Sequence, residues 1–278
     1  MDTMHYALKA YLIHDIGQRN NQEDAFFPPM TKPCHYDGVA REEAFFEGAP
    51  HTSDSLFILC DGMGGHSRGE VASRTVCDVM GRSVADAEAE KGDFDDGMIL
   101  DAVNECFDAL DAQDDPDEEQ KMGTTMTFLK FHRKGATVAH IGDSRVYHFR
   151  LPSGKKRGEI LFRTEDHSLV NMLLKNGSLT FQQALRFPQR HVLVKALQAG
   201  QKERPVPDIH HIADIRPGDV FCLCSDGMLE DLYDEDLCAM LTNPDYTDER
   251  RVQILLDFCK DNQDNHTAWI VRVGDVME

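Results

Sequence analysis

Leu56-Phe57-Ile58-Leu59-Cys60-Asp61-Gly62-Met63-Gly64-Gly65-His66 decides how the rest of the chain is read. Five consecutive apolar residues fit a buried strand, and the acid that ends the run projects a carboxylate from the edge of the core. Gly62 leaves room for its backbone carbonyl to approach a cation, while Gly64 and Gly65 permit a tight turn into a following helix. Alone, the pattern fits an ordinary Asp-Gly turn equally well. It is the repetition that sharpens it. Asp226-Gly227 closes Val220-Phe221-Cys222-Leu223-Cys224-Ser225, and Asp143 follows the apolar run 136–142. Glu23-Asp24 precedes Ala25-Phe26-Phe27, and Asp264 stands ahead of His266-Thr267-Ala268-Trp269-Ile270-Val271. Like charges gathered at the edges of one core need a compensating cation. Oxygen-only donors suit hard divalent ions such as Mg2+ and Mn2+.

Composition narrows the class. The 278 residues fit one large domain or two small ones, and a hydrophobic content of 41% is ample for a core. No run approaches the roughly 20 apolar residues of a membrane span. Met1-Asp2-Thr3-Met4-His5 has no basic or apolar leader character, so no secretory signal is expected. Eight cysteines are scattered without a C-x-x-C pair, and several lie inside apolar runs. They read as reduced core thiols, which predicts a cytoplasmic protein. Acids outnumber bases 49 to 29, a formal charge of −20, which excludes nucleic acid and anionic membranes as expected partners. Residues 111–119 concentrate part of that charge and read as a solvated loop or helix end, without the glycine and terminal glutamate of a calcium loop.

Along the chain, strands are predicted over 8–16, 25–27, 124–131, 136–141, 145–149 and 160–163. Helices are predicted over 68–86, with Val71, Thr75, Val76, Val79, Met80 and Val84 at helical spacing, and over 97–112, with Ile99, Val103, Phe107 and Leu110. Two more helices are expected over 234–241 and 247–262. Residues 28–54 read as an inserted loop whose Phe45-Phe46 pair packs on the body. Lys155-Lys156-Arg157 reads as a charged hairpin turn rather than a nucleic-acid patch. Strands in runs and helices in pairs argue for α+β layering, with one domain over 1–278 and no repeat or linker.

Arg19 with Glu23-Asp24, Asp61-Gly62-Met63-Gly64-Gly65, Gly123-Thr124-Thr125, Gly142-Asp143-Ser144-Arg145, Asp166-His167-Ser168, Ser225-Asp226-Gly227 and Asp264-Asn265 follow one another along nearly the whole chain. Each piece is weak, but the seven in this order resemble the metal-dependent protein phosphatases of the PPM (type 2C) family, in their bacterial form. The resemblance implies a β-sandwich of two antiparallel sheets flanked by pairs of antiparallel helices. It further implies a serine/threonine phosphatase that uses in-line attack by a metal-bridging water or hydroxide, without a phosphoenzyme. Two Mn2+ or Mg2+ ions would be held with Asp61 bridging, Gly62 lending its carbonyl, Glu23 acting largely through water, and Asp226 and Asp264 on the second ion. Asp24 would position waters, Asp143 with Asp226 would serve a looser third ion, and Arg19 would bind the substrate phosphate. Expected partners are phosphorylated proteins and an opposing Ser/Thr kinase, with the enzyme a monomer.

Eukaryotic relatives carry histidine where this chain has Met63, so the proton donor to the leaving alkoxide is left open between water and His66; His167 reads as structural. Residues 168–200 match the family's flap beside the active site, a region whose loops set substrate choice. The chain ends soon after the last strand, which predicts no appended regulatory domain. Two other enzyme readings were weighed, a phosphatase of anti-sigma antagonists with the same acid pattern and a serine hydrolase using Ser144 or Ser225, for which the G-x-S-x-G elbow is absent. A catalytically silent scaffold would be signalled by a lost ligand, and none is lost.

Overall fold

The computed structural model describes residues 5–29, 44–48, 56–63, 68–115, 120–184, 186–189 and 191–277. The chain opens with β1 (His5–Asp15), β2 (Asp24–Phe27), β3 (Ala44–Gly48) and β4 (Leu56–Met63), then α1 (Gly69–Lys91) and α2 (Asp96–Gln113). β5 (Gly123–Thr124), β6 (Met126–His132), β7 (Gly135–Ile141), β8 (Arg145–Arg150) and β9 (Glu159–Arg163) follow. Next come α3 (Leu169–Lys175), α4 (Phe181–Ala184), β10 (Leu197–Gln198), β11 (Asp208–Ile212) and β12 (Val220–Cys224). A single 3-10 turn (Asp226–Leu229), α5 (Asp234–Thr242), α6 (Asp248–Cys259) and β13 (His266–Met277) complete it.

The strands form two antiparallel sheets. One runs β3-β1-β13-β12-β8-β9, the other β10-β5-β4-β6-β7-β11 with β2 on the free edge of β4. β4 shows why five apolar residues in a row were needed. Its side chains alternate between faces: Phe57 and Leu59 enter the space between the sheets, and Ile58 and Cys60 point to the helices. The inter-sheet core gathers Leu12, Phe131, Phe221, Trp269 and Val271, with Phe57 and Trp269 meeting edge to face at 5.3 Å. Outside one sheet, Val76, Met80 and Val84 of α1 pack with Ile99, Val103 and Phe107 of α2. Outside the other, Leu237, Leu241, Val252 and Leu255 of α5 and α6 cover Ile13, Tyr147 and Cys222. The result is helix pair, sheet, sheet, helix pair: α+β as the layering argument expected, and the sandwich that the resemblance implied.

Three local readings change. Residues 28–54 are not wholly a loop, because β3 pairs with β1 from Ala44 opposite His14 to Gly48 opposite Ala10. The expected strand 124–131 is broken at Thr125, whose N–H leaves the ladder for the Asp61 carbonyl at 2.9 Å. β11 was not anticipated; it lies at a sheet edge, and its burial pattern lacks an apolar run. Gly64, Gly65, His66 and the side chains of Phe45 and Phe46 lie outside the described residues.

Candidate metal centre

The carboxylates converge because strand pairing brings their segments to one end of the sandwich. Asp24 and Asp61 are direct cross-strand partners on β2 and β4. Glu23 is fixed from both sides. Its carbonyl accepts the Gly62 N–H at 3.0 Å, and its own N–H donates to Asn265 Oδ1 at 2.8 Å. Asn265 also donates from Nδ2 to the carbonyls of Ile16 and Asn21, both at 2.9 Å, tying the segment that carries Arg19 to the one that carries Asp264. Asp226 opens the 3-10 turn after β12. At Gly227 a Cβ would lie 2.0 Å from the Asn265 carbonyl oxygen, so only glycine lets β12 and β13 close the site this tightly. Gly62 is equally confined, with a Cβ 2.3 Å from the Gly69 oxygen and 2.6 Å from that of Glu23.

The electrostatics are those of acids short of cations. Asp24 is 2% exposed, and burial, opposed by hydrogen bonds from Thr267 and Ser225 and aided by Asp226 and Asp264, raises its carboxyl to about 7. Asp143 also rises to about 7, through burial and then Asp226 and Asp166. Burial and then Asp24, Asp226, Asp143 and Asp264 push Asp61 well up. Asp226 is raised by burial and Asp264, and Glu23 by burial and Glu70. Arg19, its side chain 54% exposed, spends one nitrogen on Asp264 Oδ2 at 2.7 Å.

Do these residues fit divalent ions? The donor set is oxygen-only and concentrated, and one atom is directly informative. Asp24 Oδ2 receives the Ser225 hydroxyl at 2.9 Å, while Asp24 Oδ1 is buried and has no hydrogen-bond partner among the described residues. A buried, unsatisfied carboxylate oxygen beside Asp61, Asp226 and Asp264 fits a hard cation or its bound water. Asp61, Glu23, Asp24, Asp143, Asp226, Asp264 and the Gly62 carbonyl are the groups that could hold ions.

A second group, His140, His167 and Asp208, also brings ligand atoms within 4.8 Å of one another. It does not fit a metal. His167 Nδ1 accepts the Gly142 N–H at 3.0 Å, so Nε2 carries the ring proton and faces Asp208 Oδ2 at 3.3 Å. Lys195 Nζ holds the other Asp208 oxygen at 2.5 Å. His140 stacks on His167 at 4.4 Å and bonds the Glu165 carbonyl through Nε2. The structural reading of His167 fits these bonds.

Ser144 and Ser225 are buried, and their hydroxyls bond Thr125 Oγ1 at 2.7 Å and Asp24 Oδ2. Neither bond is to a histidine, as a serine nucleophile requires. Met63 directs its methyl toward Gly123, where a Cβ would lie 3.0 Å from it. Sequence reasoning passed over Glu70, in the first turn of α1, which bears on Glu23. It also gave no role to Asn265, although Asn265 sits in a motif.

Residues 34–254 match the family model described as protein phosphatase 2C. The chain belongs to the protein phosphatase 2C family. The matched span takes in Asp61, Asp143 and Asp226, and the fold adds Glu23, Asp24 and Asp264 from beyond its ends. Among curated family members, the chain is 31% identical over 235 residues to the serine/threonine protein phosphatase PstP of Mycobacterium tuberculosis, covering 84% of this chain and 42% of that protein. The chain thus spans less than half the length of that relative. It is 30% identical over 253 residues to a putative protein phosphatase 2C-type protein of Streptococcus pyogenes, covering 89% of this chain and 90% of that one. The crystal structure of M. tuberculosis PstP superposes with a TM-score of 0.72 at 27% identity, over 97% of this chain and all of that one. The PstP catalytic domain in complex with two manganese ions gives 0.68 at 27% identity, over 96% and 100%. No described helix is long and apolar enough to cross a membrane.

Proposed function

We propose that this chain is a Mn2+- or Mg2+-dependent protein phosphatase acting on phosphoserine and phosphothreonine of phosphoproteins. Asp61, the Gly62 carbonyl, Asp226, Asp264 and, largely through water, Glu23 would hold two ions, and Asp143 with Asp226 would hold a looser third. The observation that carries this reading is the convergence of Glu23, Asp24, Asp61, Asp143, Asp226 and Asp264 from five chain segments, with one buried Asp24 oxygen unpartnered. Bound divalent ions supply a water of lowered pKa and charge neutralisation at the phosphate.

The chain's own residues do the rest. Arg19 stands exposed at the rim within electrostatic reach of Asp264, Glu23 and Asp226, where its planar donor fork suits a phosphate dianion. Asp24, held by Ser225 and shielded from bulk solvent, would position metal-bound waters in the centre. Met63 holds no proton to give, so the leaving alkoxide would draw its proton from water or from His66. The seven described cysteines are free and buried, which suits the reducing cytoplasm. A monomer opposed by a Ser/Thr kinase completes the reading.

The test is hydrolysis of p-nitrophenyl phosphate and a phosphothreonine peptide in EDTA and with added Mn2+ or Mg2+, by wild type and Asp61→Asn. Metal-dependent turnover that Asp61→Asn abolishes is expected. Folded wild type inert toward both compounds with either metal would overturn the assignment in favour of a scaffold.

A further inference from the structure

Asp143 differs from the other acids of the centre in that a second motif holds the chain on both sides of it. On one side, the Gly142 N–H donates to His167 Nδ1 at 3.0 Å, and the Gly142 carbonyl accepts the His167 N–H at 2.9 Å. On the other, Arg145 grips Asp166 with two parallel bonds, Nε to Oδ1 at 2.6 Å and Nη2 to Oδ2 at 2.7 Å. Its remaining Nη1 reaches Tyr147 Oη and Asp234 Oδ1, each at 3.1 Å. Between them, Ser144 Oγ is tied to Thr125 Oγ1. Gly142 sits at φ +110°, a backbone conformation that the clasp must hold in place.

The clasp is itself braced. Asn171 Nδ2 donates to the Asp166 carbonyl at 2.8 Å, and the Val194 N–H donates to the His167 carbonyl at 2.8 Å. His167 Nε2 faces Asp208, whose other oxygen is held by Lys195. Ser168 caps α3 by accepting the Asn171 N–H and bridges to Leu193. The segment that departs at Ser168 therefore returns against His167, one of the two residues that secure the Asp143 loop, while its first helix braces the other.

We infer that Asp166 and His167 are positioning residues that fix the Asp143 carboxylate for a third, weaker divalent ion. This rests on the reading of Asp143 proposed above. Outer partners of metal ligands typically change affinity by about 10–100-fold when removed, because they set ligand orientation. Here two independent tethers flank one ligand, so losing either loosens the weak ion and leaves the tight pair, whose acids come from other segments, untouched. The tautomer supplies a conservative rescue. What Gly142 needs is an acceptor at the Nδ1 position, and an asparagine Oδ1 occupies nearly that place whereas leucine offers none.

The experiment is a Mn2+ titration of the full chain read by electron paramagnetic resonance of free Mn2+, which counts and ranks bound ions without reference to turnover. Wild type should show tight sites and one weaker site, the latter lost in Asp143→Asn. His167→Leu and Asp166→Asn should keep the tight sites and weaken the last one by about tenfold. His167→Asn should lie within about twofold of wild type. If folded His167→Leu and Asp166→Asn bind the weak ion as wild type does while Asp143→Asn loses it, the inference is wrong and the Asp143 reading stands. If Asp143→Asn changes no site, both fall. Should His167→Leu fail to fold, Asp166→Asn decides alone, since its side chain is 20% exposed and asparagine preserves its shape.

Discussion

Replacing Asp24 by asparagine should make the metal-free protein more stable and the metal-loaded protein less so. Asp24 is almost wholly buried, and its carboxyl rises from 3.8 to about 7 on folding. Above that value both states are ionised, and the difference corresponds to about 4 kcal/mol against the fold. The direction follows from the raised value: the folded state takes up the proton more readily, so the cost is absent below pH 3.8 and grows in as pH rises to about 7. Asparagine removes the charge and keeps an acceptor for Ser225. Its amide nitrogen would replace the unpartnered Oδ1 and remain unpartnered, returning about 1–3 kcal/mol of the gain. A net stabilisation of about 1–3 kcal/mol is left at pH 8 in EDTA, a rise in melting temperature of about 2–5 °C for a chain of this length. With Mn2+ in hundredfold excess over its dissociation constant, wild type gains about 2.7 kcal/mol per site, and the variant gains less because its neutral amide attracts a cation weakly. Thermal melts of both proteins in EDTA and in Mn2+, at pH 8 and at pH 5, measure these differences. The order of stability should invert on adding metal, and the advantage in EDTA should shrink toward pH 5. An asparagine variant less stable than wild type in EDTA at pH 8, or an equal response of both proteins to Mn2+, would refute the idea that Asp24 is held charged for a cation's sake.

Two further outcomes test other parts of the structure. Arg19→Ala should raise KM for a phosphopeptide by about 10-fold, the loss of a charge-assisted contact, and Arg19→Lys should recover only part of it because a point charge cannot reproduce the fork; steady-state kinetics at saturating Mn2+ would show this. His14, half-buried against Phe26 and bonded to Thr267 Oγ1, is lowered to about 4 by desolvation and the charge of Arg74. A depressed histidine favours the fold fully above its ordinary value near 6.5 and less as pH falls toward 4, by up to about 1.4 kcal/mol per pH unit. The difference in stability between wild type and His14→Gln, from urea melts between pH 7 and 4.5, should show that slope.

How much of this was legible beforehand depends on what each residue needs from its neighbours. β4, β7, β12 and β13 announce themselves because strands buried on both faces must be apolar throughout, and the acids ending them mark the site. That Asp24 faces Asp61 across a strand pair is a matter of register, which only the fold supplies. β11 and α3 left no comparable trace: β11 is an edge strand mostly exposed, and α3 buries none of its residues, so neither carries the periodicity that burial imposes. Glu70 looked like any first-turn helix acid, and only the close approach of Gly69 to Glu23 draws it toward the centre. Asp166-His167 was readable as a motif, but its work is done on Gly142 and Arg145, some twenty residues back along the chain.

The neighbour relations of β13 carry one more consequence, for how the protein comes into being. It is the last described strand, yet it lies in the middle of its sheet, between β1, the first described strand, and β12. Its entry also brings Asp264 and Asn265 to the Arg19–Asp24 segment. During synthesis, then, β1 must wait with one edge unpaired until residues 266–277 have left the ribosome, a long-range pairing of the kind that slows folding. Until that moment the nascent chain has no assembled centre, and chains interrupted before residue 264 should lack the metal-dependent hydrolysis proposed above.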